Sequence, residues 1–195
     1  GWDEDFQRRE PQHVTTIDAE ESGTAVYFAP GSSVTLDQFH IINGVALNGA
    51  GICSDNASPT ILNSEIYSNT ASGNGGGVYA VGGASLFDLG YRIHNNEAAN
   101  GAGVYFENTT PDASVLQNSF VYSNTASANG AGVYSASGDN AIWNNSITEN
   151  EASGNGGGIY VADDTADIRN NAIITNTAVS GAGIFGQAGS TPTVD

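Results

Sequence analysis

The chain has 195 residues, enough for a domain with its own hydrophobic core, but only 13% are charged and 26 are glycine. Its 21 acidic residues stand against four basic residues, all arginine, which gives a formal net charge of −17. Such a surface repels nucleic acid and anionic membranes and so disfavours both as partners, and no run of about 20 apolar residues predicts membrane insertion.

Residues 1–20 differ from the rest of the chain. Seven of the 21 acidic residues lie within residues 1–21, and this stretch contains no glycine-rich motif. We interpret residues 1–20 as an acidic lead-in that serves as an N-terminal cap or an assembly segment. Residues 21–195 are then predicted to form one repetitive domain.

From residue 21 onward a short glycine motif repeats, as in NGAGVY at 100–105 and NGGGIY at 155–160. A β-branched residue follows the glycines at spacings of 26, 26, 26, 29, 26 and 25 residues. These positions are Val26, Ile52, Val78, Val104, Val133, Ile159 and Ile184. We expect the glycines at a sharp corner whose φ values side chains resist, and the branched residue in the core.

A second motif, a branched residue followed three positions later by asparagine, lies between the glycine motifs, as in IYSN at 66–69 and VYSN at 121–124. Asn43 lies one period before Asn69 and is expected to complete that column. A further asparagine column contains Asn63, Asn118, Asn144 and Asn170. Asparagine tolerates left-handed turns, and stacked amides hydrogen-bond to one another, so these ladders are predicted to stabilise the stack.

The repeat predicts an all-β fold. Its abundant Gly, Asn, Ser, Thr and β-branched residues are weak helix formers, and no apolar stripe of helical period is present. Three short strands and three turns use about 20–26 residues, one coil of a β-solenoid. The predicted fold is a right-handed, single-stranded parallel β-helix of about seven coils of roughly 26 residues. Thr70, Glu97, Thr125, Glu151 and Thr177 alternate at one position, which fits a solvent-facing column or simple drift.

A ring-bearing residue usually follows the branched residue of the glycine motif. The column is Tyr27, Cys53, Tyr79, Tyr105, Tyr134, Tyr160 and Phe185. Because side chains alternate along a strand, these rings are expected to point outward, where Tyr79, Tyr105, Tyr134 and Tyr160 are candidates for binding glycans. The alternative is that the rings cover the glycines or pack under loops. The single Cys53 is expected to be a packed or surface residue rather than a reactive one.

Acidic residues follow the ring column on three successive coils, at Asp112, Asp139, Asp163 and Asp164. Asp139, Asp163 and Asp164 could hold a Ca²⁺ ion weakly, since Ca²⁺ prefers oxygen ligands. Aspartate is also a favoured turn residue, and this is the alternative explanation. No cofactor is otherwise predicted.

The basic side chains provide no predicted catalytic centre. His13, His40 and His94 are too scattered in the sequence to suggest a metal site or a catalytic base. Arg92 and Arg169 fall at different positions of the repeat and are not expected to converge. We therefore predict no catalytic residue, and sequons at Asn56, Asn108 and Asn144 are candidate glycosylation sites in turns or at strand edges.

The last residues, GIFGQAGSTPTVD, stop midway through a coil, where an unpaired strand edge is expected. Either the chain is a fragment of a longer solenoid, or residues 1–20 of another copy complete the stack. The second alternative predicts head-to-tail association into filaments.

The motif pair resembles the GGA[ILV] and FxxN repeats of polymorphic outer-membrane proteins, and it is similar to right-handed β-helix surface proteins more broadly. The resemblance covers roughly residues 14–190, with Ile or Val in place of the Phe of FxxN. It implies an extracellular or cell-surface solenoid with adhesive or structural duties. We therefore predict a non-enzymatic adhesive module, with a polysaccharide-binding or polysaccharide-degrading domain as the alternative.

Overall fold

The structure of the chain, a computed structural model, describes residues 14–82, 86–87, 92–107, 114–162 and 165–195, with the backbone alone for 86–87. The described residues form short β-strands and turns without a helix, so none of their segments is a helix that could span a membrane. Paired strands run parallel and lie one turn of the chain apart. The all-β, parallel β-solenoid predicted from the repeat is thereby confirmed.

The first sheet contains seven strands stacked in chain order. They are β1 (Thr15–Asp18), β4 (Phe39–Ile42), β8 (Glu65–Tyr67), β12 (Arg92–His94), β16 (Phe120–Tyr122), β20 (Ser146–Thr148) and β24 (Ala172–Ile174). One branched residue of each strand enters the core, and Ile41, Ile66 and Ile93 are fully buried there. The residues on both sides of this branched residue point to the outer face of the sheet. Since β1 belongs to this sheet, the sheet begins within the segment interpreted as the lead-in.

The second and third sheets each contain seven strands as well. The second sheet holds β2 (Val26–Phe28), β6 (Ile52–Asp55), β10 (Val78–Val81), β14 (Val104–Glu107), β18 (Val133–Ser135), β22 (Ile159–Val161) and β25 (Ile184–Gly186). The third sheet holds β3 (Thr35–Asp37), β7 (Thr60–Leu62), β11 (Leu86–Phe87), β15 (Val115–Gln117), β19 (Ala141–Trp143), β23 (Asp167–Arg169) and β26 (Thr193–Val194). Seven stacked strands in each of these sheets agree with the predicted number of coils.

A fourth, five-stranded sheet corrects the expected three strands per coil. Its strands are β5 (Val45–Ala46), β9 (Thr70–Ala71), β13 (Glu97–Asn100), β17 (Thr125–Asn129) and β21 (Glu151–Ala152). Most are too short for alternation to mark them in the sequence. Their inward alanines form a second small core, and the alternating Thr and Glu column is exposed, which confirms that it faces solvent.

A ladder of buried asparagines connects the coils beside the first sheet. Asn69, Asn96, Asn124, Asn150 and Asn176 form the asparagine ladder, in which each Nδ2 donates to the next Oδ1 at 2.9–3.0 Å. The prediction that Asn43 completes this ladder is wrong. One turn here is 25 residues, so Gly44 occupies the position and its N–H donates to Asn69 Oδ1 at 2.9 Å.

Two physical reasons, rather than the single one expected, require glycine in this motif. Its first glycine adopts positive φ, for example 66° at Gly75 and at Gly156, as predicted for a corner. Its third glycine does not. A Cβ on Gly77 would lie 2.6 Å from the carbonyl oxygen of Gly103 and 3.0 Å from Asn96 Nδ2, so close stacking of the coils requires glycine there. The second column of Asn63, Asn118, Asn144 and Asn170 has φ of 47–57°, which confirms its left-handed geometry.

Candidate binding face

The ring column forms a continuous aromatic stack on the second sheet. Ring centroids lie 5.4 Å apart between Tyr79 and Tyr105, 4.8 Å between Tyr105 and Tyr134, and 4.7 Å between Tyr134 and Tyr160. Phe185 continues the stack 5.2 Å from Tyr160. Each inner ring therefore has both faces covered by its neighbours.

This stacking decides how much of each ring is accessible to a glycan. Only 8% of Tyr105 and 7% of Tyr160 is exposed. Burial and the nearby Glu107 carboxylate raise the pKa of Tyr79 to about 12, and burial also raises the pKa of Tyr105. Because a sugar cannot lie against a covered ring face, the column favours the alternative of packed rings, and glycan binding by these tyrosines stays a prediction.

The acidic candidates do not assemble within the described residues. Asp139 is exposed and accepts a hydrogen bond from the Thr165 hydroxyl, whereas Asp112, Asp163 and Asp164 lie outside the described residues. No group of three or more His, Cys, Asp or Glu side chains in the described parts of the chain is arranged to hold a metal ion. A Ca²⁺ site at these aspartates stays a prediction.

The sequons fall in different surroundings. Asn56 and Asn144 are exposed, with φ of 46° and 57°, while Asn108 lies outside the described residues. The Asn56 amide donates to Asp55 Oδ1 at 2.8 Å. Modification of any of the three sites stays a prediction.

The outer face of the first sheet brings together side chains that lie far apart in the sequence. We call this surface the binding face, and it consists of His40, Glu65, Tyr67, Arg92, His94, Phe120 and Tyr122. Strand register places His40, Glu65, Arg92 and Phe120 in one row. It places Tyr67, His94 and Tyr122 in a second row.

A single carboxylate organises the polar part of the binding face. Glu65 Oε2 lies 3.1 Å from His40 Nε2, and Glu65 Oε1 lies 3.0 Å from His94 Nε2. The Arg92 guanidinium is 3.9 Å from Glu65 Oε1, beyond hydrogen-bonding distance, and 62% of its side chain is exposed. Arg92 therefore neighbours the carboxylate while most of its donors face solvent.

The second row of the binding face is an aromatic stack with one open end. The His94 imidazole stacks between Tyr67 at 5.1 Å and Tyr122 at 4.6 Å. Tyr122 is followed in register by Thr148, so no ring of that row covers its other face. Burial and the Glu65 charge raise the pKa of Tyr122, which therefore keeps its hydroxyl as a donor.

An exposed ring and an open cleft complete the binding face. Phe120 is 52% exposed and stands on the same side of its strand as Tyr122. A cleft of about 200 Å³ lies over His40, Glu65 and Arg92, with Gln38 and Asn63 on its wall. Carboxylate, amide and guanidinium groups thus line the cleft, and the exposed ring of Phe120 is next to Arg92 in register.

His40 and His94 are far from scattered in space, because both contact Glu65, whereas the absence of a metal site or catalytic base at the histidines stays a prediction. They are far apart in sequence, but the coils bring one repeat position above the next. In the sequence, this proximity was indicated by the residues that flank the branched residue of the second motif, since His40 and His94 lie at these positions. Arg92 and Arg169 lie in different sheets, as predicted, and Arg169 pairs with Asp167 at 2.6 Å.

A family model described as "Right handed beta helix region" matches residues 12–173, most of the chain. No curated protein and no solved structure matches the chain. The matched span contains all seven residues of the binding face. The family match supports the predicted right-handed parallel β-helix, but it does not confirm the more specific likeness to polymorphic outer-membrane repeats.

Proposed function

Because the chain belongs to the right-handed β-helix family, which includes enzymes and non-enzymes, we propose that it is an adhesive surface module that binds polysaccharide on the binding face. One observation supports this most directly: an exposed ring, Phe120, stands beside a cleft lined by the Glu65 carboxylate and the Arg92 guanidinium. Sugars need both kinds of group, since their C–H faces pack on rings and their hydroxyls need hydrogen-bond partners.

The shape of the sheet favours an extended ligand over a small one. Successive strands lie about 4.8 Å apart, so the binding face spans several coils. The cleft is open and holds only about 200 Å³, too little to enclose a drug-sized molecule. A polysaccharide that lies across the strands contacts several coils at once.

The binding test compares residues of the binding face with matched residues elsewhere. We expect Phe120→Ala to weaken polysaccharide binding about threefold to tenfold, the value of one aromatic contact, and Arg92→Gln to weaken it about tenfold. Tyr27→Ala and Arg169→Gln are the matched controls, since Tyr27 is 56% exposed on the second sheet and Arg169 lies on the third. Binding to a panel of immobilised polysaccharides by the full chain is the measurement.

The controls decide where the ligand binds. Equal losses in Tyr27→Ala and Phe120→Ala would contradict binding at the first sheet. Loss of binding in a Tyr105→Ala, Tyr134→Ala double variant that still folds would instead support the ring column.

A second candidate function is polysaccharide degradation, which the contact between His40 and Glu65 favours. At 3.1 Å the carboxylate orients the imidazole, an arrangement that general bases use. Incubation with the polysaccharides that bind, followed by an assay for new chain ends, separates degradation from adhesion.

A further inference from the structure

The Glu65 carboxylate is shared by two imidazoles that differ in accessibility. The His40 side chain is 31% exposed, and the His94 side chain only 13%. Glu65 lies on the strand between them, and each imidazole uses Nε2 to reach a different carboxylate oxygen. Any change in the charge of either imidazole is therefore felt at the same carboxylate.

His94 is held in one tautomer. Its Nε2 contacts Glu65, and its Nδ1 is buried without a hydrogen-bond partner among the described residues. The Nε2–H form satisfies both observations, because the N–H donates to the carboxylate and the bare Nδ1 needs no acceptor. A proton on Nδ1 would be a buried N–H group without an acceptor among the described residues.

His40 has no such restriction. Thr16 is beside it in register on β1, Glu65 on β8, and the Tyr67 ring lies edge-on at 5.8 Å. Among the described residues, the charged groups that line the cleft with it are the Glu65 carboxylate and the Arg92 guanidinium. A proton on His40 therefore meets a carboxylate at hydrogen-bonding distance and open solvent.

The charge of the polar row depends on this proton. With neutral imidazoles, Arg92 and Glu65 cancel, and one proton on His40 makes the row positive by one charge. Asp18, further along β1, does not follow the same change, because hydrogen bonds from the Glu20 backbone and the Asn43 amide lower its pKa. The net charge of the chain is −17, so the rest of its surface repels anions whether or not His40 carries the proton.

We propose that His40 is a pH-dependent gate for the polysaccharide site: proton uptake admits an acidic polysaccharide, and proton loss releases it. The gate rests on the proposed function of the binding face. Arg92 supplies planar donors that suit a carboxylate or sulfate group of the ligand. When the medium is acidified, in the range where imidazoles change charge, His40 adds a second positive charge to the cleft that Arg92 also lines.

Dextran sulfate is the probe, because its sulfates keep their charge at both pH values, and uncharged dextran of equal length is the control ligand. The full chain is measured at pH 5.0 and 7.5 at constant ionic strength. We expect dextran sulfate to bind about tenfold more tightly at pH 5.0, the effect of one added charge in a partly screened site. Dextran should show no such dependence.

Two substitutions at His40 test the assignment. His40→Gln should remove the pH dependence and leave the affinity of the neutral form, and His40→Arg should bind tightly at both pH values. Arg169→Gln, on the third sheet, is the control and should keep the pH dependence. Circular dichroism at both pH values confirms that each variant is folded.

The outcomes separate the gate from the function. Equal binding of dextran sulfate at both pH values overturns the gate and leaves polysaccharide binding intact. Binding of dextran without binding of dextran sulfate leads to the same conclusion. A pH dependence that persists in His40→Gln overturns the assignment to His40. Failure of a broad polysaccharide panel to bind at either pH overturns the proposed function itself.

Discussion

Asn124 shows how a single side chain can hold three coils together. Its Nδ2 donates to Asn150 Oδ1 at 2.9 Å and to the Ile93 carbonyl at 3.0 Å. Its Oδ1 accepts from the backbone N–H and from Nδ2 of Asn96, at 3.1 Å and 3.0 Å. Every polar atom of a fully buried amide is satisfied, so its hydrogen bonds offset the cost of desolvation.

Replacement of Asn124 by alanine should therefore be severe. The change leaves buried groups of Asn96 and Ile93 without partners, at about 1–3 kcal/mol for each unsatisfied group. We expect the free energy of unfolding to fall by about 3 kcal/mol or more, as measured by urea denaturation. The neighbouring exposed Thr125→Ala is the control and should change it by less than about 0.5 kcal/mol. Similar values for both variants would show that the ladder contributes little.

At the scale of the element, the ring column of the second sheet stabilises the stack of coils. The phenol of Tyr79 donates to Glu107 Oε2 at 3.3 Å, and that of Tyr160 donates to Gln187 Oε1 at 3.0 Å. The stacked rings pack on one another, and these two hydroxyls hydrogen-bond to side chains of the next coil. The same sheet geometry that makes the rings a good stack closes their faces to a ligand.

Alkaline pH should weaken this stack. An unfolded tyrosine ionises near pH 10, whereas burial and Glu107 raise the pKa of folded Tyr79 to about 12. The unfolded state therefore loses its proton first, and stability falls as the pH rises from 10 towards 12. Denaturation midpoints across this range should fall less steeply for Tyr79→Phe than for the wild type. An unchanged slope in the variant would contradict the contribution of Tyr79.

For the whole molecule, the excess of acidic side chains dominates the electrostatic interactions. The net charge is −17, and the described arginines offset it only locally, at Glu65, Asp167 and Asp195. In the fourth sheet Glu97 and Glu151 alternate with threonines, which keeps like charges from stacking on adjacent coils. Head-to-tail association through residues 1–20 stays a prediction, because residues 1–13 lie outside the described residues.

Added salt should therefore stabilise the fold. Repulsion among the acidic side chains is screened within about 3 Å at 1 M salt, compared with about 30 Å at 0.01 M. We expect the midpoint of thermal unfolding to rise between 0.01 M and 1 M sodium chloride. A midpoint that falls with salt would show that local ion pairs outweigh the net repulsion.

The spacing of the sequence motifs was sufficient to predict the β-solenoid, its number of coils, the buried branched residues and the left-handed asparagines. These features repeat in every coil, and parallel stacking places like residues above like residues, so periodicity alone determines them. Only the tertiary structure decided that Gly44 replaces Asn43 in the ladder, that a fourth sheet exists, and that the tyrosine faces are closed. Each depends on local register or packing.

The binding face is also a feature that only the tertiary structure decided. His40, Glu65 and Arg92 occur once each in their row and differ in type, so no repeat marks them as a set. Their proximity follows from the register of three particular turns, because a shift of one residue in any of them would turn its side chain to the opposite side of the sheet. The repeating residues build the scaffold, and the non-repeating ones acquire a shared chemistry only when the coils are stacked.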